Sequence, residues 1–338
     1  MNSKERLAAY LAGKPVDRRP NLTIVGSAVC RYANGGAGMD VETYCKDYEK
    51  MADAAATAAR EMKLDFIQIA SDLLREAEGY GTEVDFFPDK LPTAAKYALE
   101  DIGDVDRLRT LKAAEIPRLY DLVKAAERAL ADPDVDPMVL AVGPMTVAGN
   151  VRGVEDLLVD MFDEPEQVEK LLEIVTGTTL DFLECLAKVG VKYAYVADPV
   201  ASLISPKLYE EFIFPMHQKI FARMEELGLV GRLHVCGNTL GIIPFTSRCG
   251  AKIVDVDHVV DLSQALEAAG GRCVMNGNID PVSDVYTCDA AHTKAAILAC
   301  AEQAKGARAM FMPGCELPTD TPEANVLAIH EALVEIGG

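Results

Sequence analysis

The chain has 338 residues, half of them apolar and only 6% aromatic, with 53 acidic side chains against 33 basic and a formal net charge of −20. It has no dense Lys/Arg cluster to offer a phosphate backbone, which argues against nucleic acid, and the acidity reads as solubility. No apolar run approaches the roughly 18 residues of a membrane span, and the start, MNSKERLAAYLAGKPVDRRP, lacks the form of a signal peptide, so a soluble cytoplasmic protein is expected.

In chain order, the first predicted strand is NLTIVG (21–26), followed by the glycine-rich stretch CRYANGGAGMD (30–40). VETYCKDYEKMADAAATAAREM then carries apolar residues at three- and four-residue spacing, a helix, and LDFIQIA (64–70) is the second strand. Residues 72–136 are the longest interruption, and EVDFFPDKLP within it reads as a hairpin laid over the mouth of the fold. MVLAVG (138–143) and KYAYVA (192–197) are the next strands, separated by the helical PEQVEKLLEIVTGTTLDFLECLAKV. SPKLYEEFIFPMHQKIFARMEEL predicts a helix opened by Ser-Pro. GRLHVC (231–236), KIVDVD (252–257), RCVMNG (272–277) and RAMFMP (308–313) follow at about twenty-residue intervals, and PEANVLAIHEALVEI is the last helix.

Strand alternating with helix eight times predicts an α/β fold, a (β/α)8 TIM barrel, as a single domain over 1–338. An open doubly wound sheet is the alternative, but no G-x-G-x-x-G follows a strand. In a barrel, chemistry sits at the carboxyl ends of the strands. Those ends carry Ser71-Asp72, Asp198, His234, Cys236, Asp257-His258, Asn276, Asn278 and Cys315. The nine cysteines lack a disulfide framework. Cys45, Cys185, Cys249, Cys273, Cys288 and Cys300 lie away from that rim and are expected to be buried packing residues.

His234 and Cys236 stand two apart in a predicted strand and so face the same way. Cys315, after the Pro-Gly break in FMPGCELPTDTP, reaches the same rim. One imidazole and two thiolates form a set suited to zinc with an open fourth position. A packed His–Cys pair without metal is the other reading of the same letters, and His258 is a rival ligand or an ordinary rim residue. Asp72 can equally be a helix cap. Asn276 and Asn278, in NGNIDP, either hold the polar tail of a substrate or close a turn beside Gly277. The 30–40 stretch is either a yielding loop for docking or a plain connection.

RLHVCGNT, NGNIDPV and GCELPTDTPEAN, together with GPMTVAGNVRG and DPVASLISPKLYEEFIFP, resemble the uroporphyrinogen decarboxylase superfamily over nearly the whole chain, most strongly from residue 143 onward. Within it they are most similar to the methylcobamide:coenzyme M methyltransferase branch. The resemblance implies a TIM barrel with zinc held by His234, Cys236 and Cys315. It also implies methyl transfer from a methylated corrinoid to a small thiol such as coenzyme M. No D-x-H-x-x-G corrinoid signature is present, so the corrinoid is expected on a separate carrier protein. Asp198 and Glu316 are candidates to orient the metal-bound histidine or to serve as a transient fourth ligand. Asp72 matches the aspartate that decarboxylases direct at the pyrrole nitrogens. Gly314-Cys315-Glu316, however, stands where decarboxylases have Gly-His-Gly, which argues against that reaction. Loading of the corrinoid from a methylated donor is the reverse alternative. Oligomeric state is not legible.

Overall fold

The run Pro137–Val142 is buried at every residue, as a parallel strand covered on both faces must be. The same continuous burial marks Ile67–Ile69, Tyr193–Ala197, Ile253–Asp255 and Val274–Asn276. The computed structural model describes residues 1–338 and is an α/β fold. Its strands are β1 (Ile67–Ile69), β2 (Glu83–Asp85), β3 (Thr93–Lys96), β4 (Pro137–Val142), β5 (Tyr193–Ala197), β6 (Val230–His234), β7 (Ile253–Asp255), β8 (Val274–Asn276) and β9 (Ala309–Met310). Seven form one parallel sheet in the order β1-β4-β5-β6-β7-β8-β9, while β2 and β3 pair antiparallel on their own.

The predicted first strand, 21–26, is not part of this ladder, which corrects the expectation of eight. Side chains have taken the backbone's partners there. Asn21 Oδ1 accepts from Thr23 N and Oγ1, Asp65 Oδ2 accepts from Asn21 N, and Gln68 Oε1 accepts from Val25 N. Three backbone bonds remain, Asp65 N to Asn21 O, Leu317 N to Ile24 O and the local turn bond Ala28 N to Val25 O. The segment thus lies in the seam between β1 and the chain beyond β9, buried from Leu22 to Val25, but fastened mostly by side chains.

Helices cover the sheet. Tyr48–Glu61 starts on an Asp47 cap and turns Met51, Ala52, Ala54, Ala55, Ala58 and Ala59 inward, small residues that let it lie close to β1. Asp47 also ends a separate short helix, Val41–Lys46, so the single helix expected over 41–62 is two. Pro165–Lys188 buries Val168, Leu171, Leu172, Val175, Phe182, Leu183 and Leu186 along one stripe. The helix expected over 205–227 is broken into a turn at Pro206–Leu208, a π-helical turn at Tyr209–Ile213 and the helix Phe214–Glu226. Pro215 has no N–H to continue an α-helical ladder through that point. No helix is long and apolar enough to cross a membrane.

The long interruption divides as well. The helix Pro117–Ala129 packs on Tyr48–Glu61 and belongs to the outer layer. Beyond Asp72 and Leu73, which line the cavity at the carboxyl ends of the strands, only the β2–β3 hairpin reaches the mouth, where its connection brings Leu91 into the same cavity. Phe86, at the foot of that connection, lies under Arg118 with the guanidinium carbon 4.8 Å from the ring centre.

Candidate metal centre

β6 ends on His234, and Cys236 follows two residues later on the same face. Cys315 arrives from the far side of the sheet, just beyond β9, by way of Gly314. A Cβ at Gly314 would stand 2.4 Å from the His258 nitrogen and 2.9 Å from the Asp257 backbone, so only glycine lets this chain approach the end of β7. The result is that the ligand atoms of His234, Cys236 and Cys315 all lie within 4.8 Å of one another, with Cys315 Sγ 3.7 Å from His234 Nε2.

A tetrahedral zinc ion with ordinary bond lengths would hold such atoms about 3.5–3.8 Å apart. The Cys315–His234 pair stands at that spacing, no other separation exceeds 4.8 Å, and the soft, borderline chemistry of the donors suits the same ion. The residues therefore fit a zinc site. His234 is buried, which alone would lower its pKa, but the bond to Asp255 and the contact with Cys315 outweigh burial and push it up to about 9. Cys236 is lowered by the Cys315 side chain beside it, and Cys315 is raised by the same contact and by burial. The two sulfurs behave as a coupled pair.

The orientation of His234 comes from a residue that sequence reading passed over. The register Leu233↔Val254 sets Asp255 beside His234, and Asp255 Oδ2 accepts from His234 Nδ1 at 2.9 Å. This leaves Nε2 facing the sulfurs, the arrangement by which a carboxylate fixes a metal-binding imidazole. Asp255 also accepts from Arg232 Nε at 2.9 Å and from Asn276 Nδ2 at 2.8 Å. Burial would raise the Asp255 carboxyl, but the Arg232 charge and the His234 bond hold it below its usual value. Arg232 is itself 1% exposed, stacked over Tyr195 and Phe66. An arginine and an aspartate inside apolar strands of the parallel sheet, at i−2 from His234 and at the facing position, were the available signal.

The other expected site residues are dispersed. Asp198 is fully buried and turned away. Its Oδ1 accepts from Thr146 N and Oγ1, and its Oδ2 accepts from Met145 N and contacts His217 Nε2 at 3.0 Å. It caps the helix Pro144–Arg152, whose own cap residue is Gly143, so it neither orients His234 nor reaches the metal position. Asn276 spends its amide on Asp255 and Met312, behind the site, and Asn278 donates to Asp257 O and Val260 O to close a loop. Neither lines the cavity. His258 pairs with Asp257 at 2.7 Å and with Asp280, outside the ligand cluster. Of the six cysteines expected to be buried packing residues, Cys45, Cys249 and Cys300 are buried, whereas Cys185, Cys273 and Cys288 are partly exposed, contrary to expectation.

Glu316 and Asp72 do line the cavity. Glu316 fits only because Gly26 has no side chain, since a Cβ there would fall 1.7 Å from Glu316 Oε1; its one bond is a long one, 3.4 Å from Ser27 N. Burial raises its pKa. Asp72 accepts from Leu74 N, a turn ahead of the helix Arg75–Tyr80, and pairs with Arg118 at 2.7 Å and with Ser71. Burial would raise the Asp72 carboxyl, but Arg75 and Arg118 bring it down to about 2. The cavity holds about 150 Å³ and has Gln68, Leu140 and Tyr195 in its walls. A larger hollow of about 600 Å³ opens at the opposite end of the strands, by Val230 and Val274, far from the ligand cluster.

The family profile described as "Uroporphyrinogen decarboxylase (URO-D)" matches residues 2–336. The chain is 25% identical over 335 residues to the methylcobamide:CoM methyltransferase MtbA of Methanosarcina mazei, covering 97% of this chain and 96% of that one. It is 25% identical over 337 residues to the methylcobamide:CoM methyltransferase MtaA of Methanosarcina barkeri, with the same coverage. A uroporphyrinogen decarboxylase of Thermodesulfovibrio yellowstonii is 25% identical over 250 residues, 72% of each chain. Among solved structures, a methyltransferase from Methanosarcina mazei superposes with a TM-score of 0.86 at 23% identity over 99% of both chains, which shows a shared fold.

Proposed function

The chain belongs to the uroporphyrinogen decarboxylase family, and from that premise we propose that it is a methyltransferase, one domain over 1–338, acting in the cytoplasm. It moves a methyl group from a methylated corrinoid, presented by a separate carrier protein, to a small thiol. The observation that carries the reading is the convergence of one imidazole and two thiols on the wall of a small cavity. The names of the relatives at full coverage support the methyl-transfer half.

His234 Nε2, Cys236 Sγ and Cys315 Sγ would hold the zinc ion. When bound, zinc supplies a substrate thiolate at neutral pH, because a coordinated thiol is deprotonated outright. Asp255 keeps the proton on His234 Nδ1, so that Nε2 is free to ligate, and Arg232 keeps Asp255 ionised. The apolar walls around Leu91 and Leu140 exclude water from the sulfur. In the transfer itself, the thiol proton is lost to solvent on binding and a sulfur–carbon bond forms. The cobalt–carbon bond breaks with both electrons left on cobalt, and the products are a thioether and cob(I)amide.

The cavity bears on the alternatives. Drug-sized ligands occupy roughly 300–1,000 Å³, so about 150 Å³ suits a small thiol and is too little for a tetrapyrrole. The methylated ring must therefore be offered from above, past the hairpin that carries Leu91. Asp72 is already committed to Arg118 and Leu74, which weighs against a decarboxylase role at the pyrrole nitrogens. The reading is tested by metal analysis of the purified protein together with incubation in methylcobalamin and a thiol. Zinc near one per chain and thiol-dependent growth of cob(I)alamin absorbance are expected. Activity that survives complete removal of the metal would end it.

A further inference from the structure

We propose that Asp257 is a positioning residue for the two sulfur ligands, and that the end of β7 sets the spacing of a metal centre to which it contributes no ligand. This rests on the zinc reading above and concerns how that site is held. The sheet itself does not secure the Cys236 arm. Beyond His234 the chain leaves the ladder, and no backbone bond holds residues 235–238. A side chain fastens them instead: Gly237 N, one residue past Cys236, donates to Asp257 Oδ2 at 2.7 Å.

The Cys315 arm meets the same segment through its backbone. Gly314 N donates to Ile279 O at 2.8 Å, and the bare Cα of Gly314 lies against the Asp257–His258 peptide, where a Cβ would fall 2.4 Å from His258 N and 2.9 Å from Asp257 Cα. Asp257 thus stands between the residue after Cys236 and the residue before Cys315, bonded to one and in contact with the other. It is fixed in turn. It is 5% exposed, its Oδ1 pairs with His258 Nδ1 at 2.7 Å, and its carbonyl accepts from Val260 N and Asn278 Nδ2. The run Asp255-Val256-Asp257 therefore reaches all three ligands, since Asp255 bonds to His234 itself and Asp257 touches the neighbours of both cysteines. Arms that are already bonded need not be ordered by the incoming ion, and such support raises affinity for it.

Metal binding by the intact chain tests this apart from turnover. Asp257→Ala should weaken zinc binding by about tenfold or more, the range expected when a group behind a metal ligand is lost. With cobalt(II) in place of zinc, the thiolate-to-cobalt charge-transfer absorption of this variant should fall toward that of Cys236→Ser. Asp257→Asn, whose side-chain carbonyl can still accept from Gly237 N, should keep the parent spectrum and most of the affinity. A merely structural role would lower the urea midpoint of Asp257→Ala and leave its zinc affinity and cobalt spectrum those of the parent. That result would overturn the proposal while the zinc reading stood. A second measurement needs no variant: in the zinc-loaded parent the Gly237 amide should exchange slowly although it belongs to no ladder, and exchange as fast as that of an open loop would overturn the proposal equally. A parent that takes up neither zinc nor cobalt would remove the zinc reading and this inference with it.

Discussion

His234 and Asp255 lie side by side on adjacent parallel strands, and the 2.9 Å bond from Nδ1 to Oδ2 fixes which ring nitrogen faces Cys236 and Cys315. Asp255 joins three groups, since Arg232 and Asn276 bond to it too. Orientation of the imidazole and neutrality of the interior thus depend on the same carboxylate.

Asp255→Asn should therefore damage two properties at once. Breaking a buried ion pair by removing one partner costs about 3–5 kcal/mol, because Arg232 is left buried and unpaired. Losing the carboxylate behind a metal-bound histidine weakens metal affinity by roughly 10–100-fold. Urea unfolding measures the first and zinc titration against a chelating indicator the second. Unchanged zinc affinity would separate His234 from the metal.

Cys315→Ser should lower zinc content and abolish thiol methylation while the far-ultraviolet circular dichroism stays that of the parent. Cys300→Ser should leave zinc in place, because the Cys300 sulfur is buried against Gly277 O, away from the cluster. Metal analysis of both proteins decides this, and equal zinc in the two variants would refute the ligand assignment.

Asp198→Ala should be a stability variant alone. It strips the cap from the helix Pro144–Arg152, worth about 1 kcal/mol, and leaves Nε2 of buried His217 without a partner while Nδ1 keeps the Tyr209 hydroxyl, for about 1–3 kcal/mol more. Zinc content at a temperature well below the transition should match the parent. A loss of metal would show that Asp198 acts on the site after all.

Glu76 sets a pH dependence on the alkaline side. It is 2% exposed, its Oε1 accepts from Val142 N, and its Oε2 has no partner. Burial raises its pKa to about 7. Because the folded value lies above the usual glutamate value, the contribution is whole below about pH 4.5 and is lost as pH rises through about 7, where the buried carboxyl must ionise. Glu76→Gln should flatten the fall in stability between pH 5 and 9, with a difference of up to roughly 3 kcal/mol at the alkaline end. Chemical denaturation across that range checks it, and parallel curves for the two proteins would contradict it.

How much was legible varies residue by residue. His234 and Cys236 could be set on one face because strand alternation is local geometry, and Cys315 could be set near them because a Pro-Gly break ends a strand at the rim. Asp198 stood at a strand end by the same logic, yet its carboxylate turns back to the amides opened by Gly143, and position on the rim does not say which way a terminal side chain turns. Asp255 was hidden because the strand was expected to run on to Asp257, which put Asp255 in its interior, where an acidic residue makes sense only once Arg232 is known to face it. The strand expected at 21–26 reads as apolar and β-rich, but Asn21, Asp65 and Gln68 satisfy the backbone in place of a neighbouring strand, a long-range substitution that hydrophobic pattern cannot register.

That same stretch has a dynamic consequence. Ile24 is part of the cavity wall, and one amide bond from Leu317 ties it to the chain that carries Glu316. Gln68, Leu140, Tyr195 and His234 in the same wall are anchored to the continuous ladder of β1, β4, β5 and β6, whereas here the wall is closed by a few fasteners that can release one at a time without unzipping neighbours. Amide exchange at Val25 and Leu317 should then outpace that at Val139 or Val196.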